Sequence, residues 1–312
     1  MQFFSAETIR ALMPTQRLVT CLEEAFRNDW VAPLRQTIEV PGGAEQRHLL
    51  VMPAFDLQGG GAIKLVTVFP DNESKRVPTV QAAIVVFSTT GTPVALLDGT
   101  TVTYLRTSAA SALASKYLSR SQSTHLVIVG TGALAPYMAL AHCAVRPIRR
   151  ISVWGRRTER AAATVAAIRA LVEAVDVDAQ EDLEKAVAMA DVVCCATRSS
   201  KPVLEGRWLR EGTFVDLVGG FVPSMREVDD DAVLRSRVFV DTRAGALAEA
   251  GDILDPLERG VITKDKIEGD LSDLVRGRVK GRALPQEITL FKSVGTAIED
   301  FAVAKLIVAS RA

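Results

Sequence analysis

Apolar residues follow a helical period over residues 5–30, with Ile9, Leu12, Met13, Leu18, Leu22 and Phe26 among the apolar positions and Pro14 interrupting the run. Two short helices are expected there. Between Arg35 and Asp98 the period shortens to alternation, and residues 37–40, 48–52, 62–68, 81–87 and 94–97 read as strands, the last two joined by a hairpin at 89–93. This predicts an antiparallel, β-rich unit. An Ala-rich run at 103–118 then reads as a helix whose small residues let neighbouring backbones approach closely. From His125 onward, strands at 126–129, 151–154, 175–177, 192–196, 214–217 and 238–240 alternate with helical runs near 159–175 and 181–189. A right-handed parallel sheet is the economical arrangement. Beyond Asp252 come helical turns, the segment 287–291, and a final helix at 295–308 that is expected to return to the N-terminal domain.

The strand at 126–129 runs into Gly130-Thr131-Gly132-Ala133-Leu134-Ala135 and then into a helical pattern. A strand, a Gly-x-Gly-x-x-Ala turn and a helix in that order form a dinucleotide-binding turn. Gly130 permits the tight turn, Gly132 lets backbone approach a pyrophosphate, and the small Ala135 allows close helix packing, with the phosphates on the helix N-terminus. The next strand ends in Trp154-Gly155-Arg156-Arg157-Thr158, where NAD-selective folds usually carry an acid for the ribose 2′-hydroxyl. Two guanidinium groups and a hydroxyl suit a 2′-phosphate instead. NADP(H) is therefore the expected cofactor, with NAD(H) possible; the alternative is that Arg156 and Arg157 are ordinary solvated residues at a helix start. The cofactor-binding set is expected to extend to Ala196, Thr197, Val218, Gly219, Ser293 and Gly295.

With 312 residues, 48% of them hydrophobic, the chain can bury a sizeable core as one large or two ordinary domains. Its 37 basic and 37 acidic side chains balance, and no basic run points to nucleic acid, so a small ligand is expected. No N-terminal signal pattern or bilayer-length apolar run is present, which places the expectation in the cytoplasm and away from membranes. Cys21, Cys143, Cys194 and Cys195 show no metal-ligand spacing with the histidines, so no metal is expected, and they read as buried thiols.

Several segments together resemble the ornithine cyclodeaminase/μ-crystallin family over nearly the whole chain. They are Lys64-Leu-Val-Thr-Val-Phe-Pro-Asp-Asn72, Ala95-Leu-Leu-Asp-Gly99, Leu105-Arg-Thr-Ser-Ala-Ala-Ser111, Gly130-Thr-Gly132, Val153-Trp-Gly-Arg156 and Phe291-Lys-Ser-Val-Gly-Thr296. The resemblance implies an α/β protein in which a Rossmann-type, doubly wound parallel sheet (119–287) is inserted into a mixed, β-rich α+β domain (1–118 and 288–312). That second domain would bind substrate and form a homodimer. It further implies that Arg35, Lys64 and Arg106, with the hydroxyl of Thr79, hold a substrate carboxylate, Lys64 and Arg106 being the catalytic candidates. An Arg fork plus a further cation is what an α-imino or α-amino carboxylate needs. Other origins are open for each: Lys64 as an edge lysine reaching solvent, Arg106 as a helix-surface charge, Arg35 as a loop charge.

The departure from the family pattern follows Gly219-Gly220. Cyclodeaminating members carry a catalytic Asp there, and this chain has Phe221; a second acidic position falls near Leu50. Without a base to activate an amino group, ornithine cyclodeamination is disfavoured. The expected activity is NAD(P)H-dependent reduction of a cyclic imino acid, Δ1-pyrroline-2-carboxylate to L-proline or the six-membered analogue, with Phe221 as an apolar wall. An alanine-type amino-acid dehydrogenase and a μ-crystallin-like protein that binds NADPH and a small ligand are the alternatives.

Overall fold

In the computed structural model, which describes residues 1–42 and 46–311, the chain divides into two compact units, Met1–Thr107 with Thr296–Ala312, and Ser108–Gly295. The first unit begins with β1 (Gln2–Phe4), α1 (Ala6–Leu12) and α2 (Thr15–Arg27). The Ser5 hydroxyl caps α1 by accepting from the Thr8 N–H at 3.3 Å, and Pro14 separates the two helices. Strands β2 (Trp30–Val31), β3 (Gln36–Val40), β4 (Arg47–Asp56), β5 (Gly61–Val68), β6 (Val80–Phe87) and β7 (Pro93–Asp98) follow. They form a seven-stranded sheet in the order β1-β7-β6-β5-β4-β2, with β3 also on β4. All pairs are antiparallel except β1 with β7, and β1 and β2 are the strands the sequence pattern did not reveal.

Register divides this sheet into two faces. Met52, Lys64 and Ile84 are direct cross-strand neighbours on one of them, together with buried Leu50, Ala54, Ala62, Val66 and Val86. Ile38, Leu49, Val51, Leu65 and Ala83 are register-paired on the other.

Helix α3 (Gly99–Leu118) leads into the second unit. There the chain runs through β8 (His125–Val129), α4 (Ala135–Val145), β9 (Arg150–Trp154), α5 (Thr158–Arg169), β10 (Asp176–Ala179), α6 (Leu183–Ala188), β11 (Val192–Cys195) and β12 (Phe214–Leu217). It continues with α7 (Asp230–Arg235), β13 (Arg237–Val240), α8 (Arg243–Glu249), α9 (Gly251–Glu258), β14 (Ile267–Asp270), α10 (Leu271–Val275) and β15 (Thr289–Lys292). The final helix, α11 (Ala297–Ala309), belongs to the first unit, where it packs on α2, β4, β5 and β6 as expected.

The second sheet is wholly parallel, in the order β10-β9-β8-β11-β12-β15-β13-β14. The order reverses between β8 and β11, which creates the crevice where open α/β sheets bind ligands. Strands β8, β11 and β12 are buried along their whole length, the near-continuous apolar run that a doubly covered parallel sheet requires.

The structure corrects three expectations. The domain limits shift, because β15 pairs with β12 and β13, and the Ser111 hydroxyl in α3 donates to Asp216 at 3.0 Å. Residues 288–295 and the second half of α3 thus belong to the dinucleotide-type unit. The helix expected at 159–175 stops at Arg169, the chain then turning through Ala174 at a φ of 58° before β10 begins at Asp176. Strand β14 was not anticipated. Among the described residues no helix is long and apolar enough to cross a membrane.

Candidate active site

Lys64 sits in the middle of β5, a strand with neighbours on both sides, and it is 2% exposed. This excludes an edge lysine reaching solvent. A buried ammonium is tolerated only when paired, and its Nζ lies 2.7 Å from Asp300 Oδ2. Arg106, on α3, is also buried. Its Nη1 donates to Glu299 Oε2 at 2.6 Å, and its Nε lies 3.0 Å from Asp300 Oδ1. Asp300 therefore bridges the two cations, and two acids face two bases. Both carboxylates occupy the first turn of α11, where the positive end of the helix dipole favours them.

Burial pushes the Lys64 ammonium down to about 8, the like charge of Arg106 adds to this, Asp300 opposes it, and Arg35 lowers it further. A lysine so poised exchanges its proton near neutrality. Arg35 is half-buried in the segment before β3, close enough to act on Lys64 electrostatically. Thr79 stands just before β6, where its carbonyl accepts from the Phe69 N–H at 2.8 Å. Leu50, the expected position of a second acid, is a buried apolar residue of β4.

In the second unit, Gly130 has a φ of 126° and donates its N–H to the Trp154 carbonyl at 2.9 Å. A Cβ there would lie 2.6 Å from the Ala196 carbonyl, so only glycine lets the loops after β8 and β11 meet. Around Gly132 the opposite holds. It is exposed, and a Cβ would meet nothing within 4 Å, which leaves room for a ligand against the backbone. Leu134 precedes α4 without a side-chain cap, and Pro136 lies in the first turn. These features fit a dinucleotide pyrophosphate. A cleft of about 330 Å³ runs along Thr131, Gly132, Ala133 and Pro136 to Arg160 and Thr164 of α5.

Gly155 packs so closely on Thr131 that a Cβ would fall 2.5 Å from its methyl group. Arg156, Arg157 and Thr158 are exposed at the start of α5, and Arg160, which the motif reading missed, lines the cleft itself. The Trp154 ring packs on the core, its indole N–H donating to the Glu181 carbonyl at 3.2 Å. Ala196 and Val218 continue the ladders beyond β11 and β12, their N–H groups bonding the Val129 and Cys195 carbonyls. Thr197 and Gly219 meet beneath them over a buried carboxylate, Glu227. The Ser293 hydroxyl donates to Asp241 Oδ2 at 3.1 Å, and the N–H groups of Val294 and Gly295 converge on the same oxygen. Phe221 is half-buried in the loop after Gly220.

Sequence spacing also gave no hint that His142, Cys194 and Asp216 converge within 4.8 Å. His142 Nε2 lies 3.1 Å from Asp216, and burial followed by the Asp216 charge pushes the Cys194 thiol well above its usual range. The thiol stays protonated, and the group reads as a hydrogen-bonded network tying α3 and α4 to β12.

The second unit thus carries a parallel sheet of the dinucleotide-binding type, and the first a buried Lys–Asp–Arg–Glu cluster. The sequence model of the ornithine cyclodeaminase/mu-crystallin family matches residues 2–311, and the chain belongs to that family. Among its relatives, a Delta(1)-pyrroline-2-carboxylate reductase of Colwellia psychrerythraea is 38% identical over 99% of this chain and 98% of its own. The structure of Thermococcus litoralis Delta(1)-pyrroline-2-carboxylate reductase, in complex with NADH and L-proline, is 35% identical with a TM-score of 0.94, covering 99% of this chain and 97% of that one. An archaeal alanine dehydrogenase dimer with bound NAD is 30% identical with a TM-score of 0.92, covering 99% and 95%.

Proposed function

We propose that the protein reduces a cyclic imino acid, Δ1-pyrroline-2-carboxylate to L-proline or its six-membered analogue, with NADPH preferred over NADH. The observation that carries this is the buried Lys64–Asp300–Arg106 cluster in a chain whose relatives include named reductases of that substrate. When bound in its reduced form, the nicotinamide supplies a hydride. Arg106, with Arg35, receives the substrate carboxylate and orients the ring. Lys64, poised near 8, holds the proton that keeps the ring nitrogen an iminium, a far better hydride acceptor than a neutral imine. The carbon bearing the carboxylate gains the hydride, the C=N double bond becomes single, and the nitrogen keeps the proton. Thr79 and Phe221 belong to the same reading, the first as a hydroxyl partner of the carboxylate and the second as an apolar wall.

Cyclodeamination has less support. The position after the two glycines is Phe221, Leu50 is apolar, and the carboxylates near Lys64 and Arg106 are engaged with those cations. The preference for NADPH rests on Arg156, Arg157 and Thr158 in place of an acid. Ala133, Leu134 and Gly155 complete the expected cradle around Gly130, Thr131 and Gly132, and Ala196, Thr197, Val218, Gly219, Ser293 and Gly295 extend the cofactor-binding set. A homodimer through the β-rich unit is part of the reading. The face of its sheet opposite Lys64 carries Ile38, Leu49, Val51 and Leu65, of which Ile38 is 48% and Leu65 37% exposed, and an apolar face of this kind calls for a partner. A cytoplasmic setting completes it; the four cysteines carry no disulfide.

The likeness to an alanine dehydrogenase supports a second reading, reductive amination of an acyclic 2-oxo acid. Cofactor oxidation measured with five- and six-membered cyclic imino acids, and with pyruvate plus ammonia, separates the two. Faster turnover of the cyclic imines supports the proposal, and faster turnover of pyruvate with ammonia overturns it. Tight NADPH binding with no turnover of any of them would favour a μ-crystallin-like binding role.

A further inference from the structure

Glu227 is fully buried, yet its two oxygens collect four hydrogen bonds from two different loops. Oε1 accepts from the Thr197 N–H at 2.8 Å and the Thr197 hydroxyl at 2.9 Å. Oε2 accepts from the N–H groups of Gly219 at 2.8 Å and Gly220 at 3.2 Å. Thr197 follows β11 and Gly219 follows β12, so one carboxylate fastens together the loops at the carboxyl ends of adjacent strands. They are pressed so close that a Cβ on Gly219 would lie 1.8 Å from the Thr197 carbonyl. Beneath them, Lys292 at the end of β15 lies 3.7 Å from Glu227 Oε2 and 2.8 Å from Asp252 Oδ2. Asp252, in the first turn of α9, accepts in turn from the N–H groups of Glu227 at 2.7 Å and Val228 at 3.1 Å. Four N–H or O–H donors on one buried carboxylate are more than packing needs, and charge-assisted bonds of this kind fix geometry.

In a doubly wound sheet the ribose reader on β9 and the glycine turn after β8 take the adenosine and pyrophosphate, which leaves the nicotinamide to the strands across the switch point. Those strands are β11 and β12. We infer that Glu227 is a positioning residue that, through Thr197, Gly219 and Gly220, shapes the nicotinamide half of the cofactor site without touching the cofactor; this rests on the dinucleotide reading above. Burial pushes the Glu227 carboxyl up to about 7, Lys292 lowers it, and Asp252 raises it. Asp241 acts on Lys292, and the thiols of Cys194 and Cys195 on β11 also feel the Glu227 charge. As pH falls through about 7, Glu227 takes a proton, and the oxygen that carries it becomes a donor and a much weaker acceptor for the loop it faces.

The test compares binding of NADPH with binding of 2′-phospho-ADP-ribose, which keeps the 2′-phosphate and lacks only the nicotinamide, in the wild type and in Glu227→Gln. The amide retains the size of the carboxylate but turns a donor toward one set of N–H groups. Expected is a roughly ten- to hundredfold weaker Kd for NADPH with 2′-phospho-ADP-ribose unchanged. A folded variant that binds NADPH as the wild type does, or that loses both ligands equally, overturns the proposal. The wild type gives a reading even if the variant fails to fold. Below about pH 7 its NADPH affinity should fall further than its 2′-phospho-ADP-ribose affinity, the 2′-phosphate titrating alike in both, and an unchanged difference between the two ligands overturns the proposal. A wild type that binds none of NADPH, NADH and 2′-phospho-ADP-ribose would instead refute the dinucleotide reading and take this inference with it.

Discussion

Replacing Asp300 with Asn keeps the shape of the side chain and removes the charge that joins Lys64 to Arg106. Lys64 Nζ lies 2.7 Å from one oxygen and Arg106 Nε 3.0 Å from the other, so the amide offers one acceptor and one donor to two cations. Loss of a charge-assisted hydrogen bond amounts to about 1.5–3 kcal/mol. At about 1.4 kcal/mol per pKa unit, this is roughly one to two units. Asp300 is the group that raises the Lys64 pKa against burial and Arg106, so without it the ammonium moves from about 8 to roughly 6–7. Lysine carries its proton below its pKa, so wild-type activity should fall as pH rises through about 8. In Asp300→Asn that fall should come roughly one to two units earlier. The assay is kcat/KM for the imino acid at saturating NADPH across the neutral and alkaline range. Titration of the substrate itself affects both proteins equally and cancels in the difference. A melting curve belongs beside it, since breaking a buried ion pair destabilises by about 3–5 kcal/mol. A folded variant with an unshifted profile would refute the assignment of Lys64 as the proton-holding group.

Arg106→Ala and Lys64→Ala should each lower imine reduction roughly ten- to hundredfold, with NADPH affinity by fluorescence near that of the wild type. Replacing both Arg156 and Arg157 with Ala should weaken NADPH far more than NADH in parallel titrations, each lost charge-assisted bond contributing about 1.5–3 kcal/mol; equal weakening would end the 2′-phosphate assignment. Light scattering at micromolar concentration should give twice the chain mass, and Leu65→Glu, which places a charge on the apolar outer face of the first sheet, should give the monomer.

The dinucleotide turn was legible because its signal is local: a strand, two glycines and a helix within one stretch of chain. Lys64 stood out as a charge inside an apolar strand, and its burial on β5 explains why. Glu299 and Asp300 did not, since two acids at a helix start look like ordinary dipole-complementing charges. Their signal was that the rest of α11 is apolar apart from Lys305, which leaves little solvent face for them. The Glu227–Lys292–Asp252 group was out of reach because its members come from a loop, a strand end and a helix far apart in sequence. Lys292 alone, a charge closing the run Thr289-Leu-Phe-Lys292, hinted at it. Insertion of β15 between β12 and β13 was equally hidden, since parallel pairing between distant strands leaves no local pattern.

The most direct measurement of the central claim follows the hydride. The protein is incubated with Δ1-pyrroline-2-carboxylate and NADPH carrying deuterium at the transferable C4 position, and the product is analysed by mass spectrometry and NMR, beside a reaction containing ornithine and oxidised cofactor. The account predicts L-proline with one deuterium on the carbon bearing the carboxylate, and no ammonia from ornithine. Ammonia release from ornithine, with no deuterium reaching proline and no NADPH consumed, would contradict it.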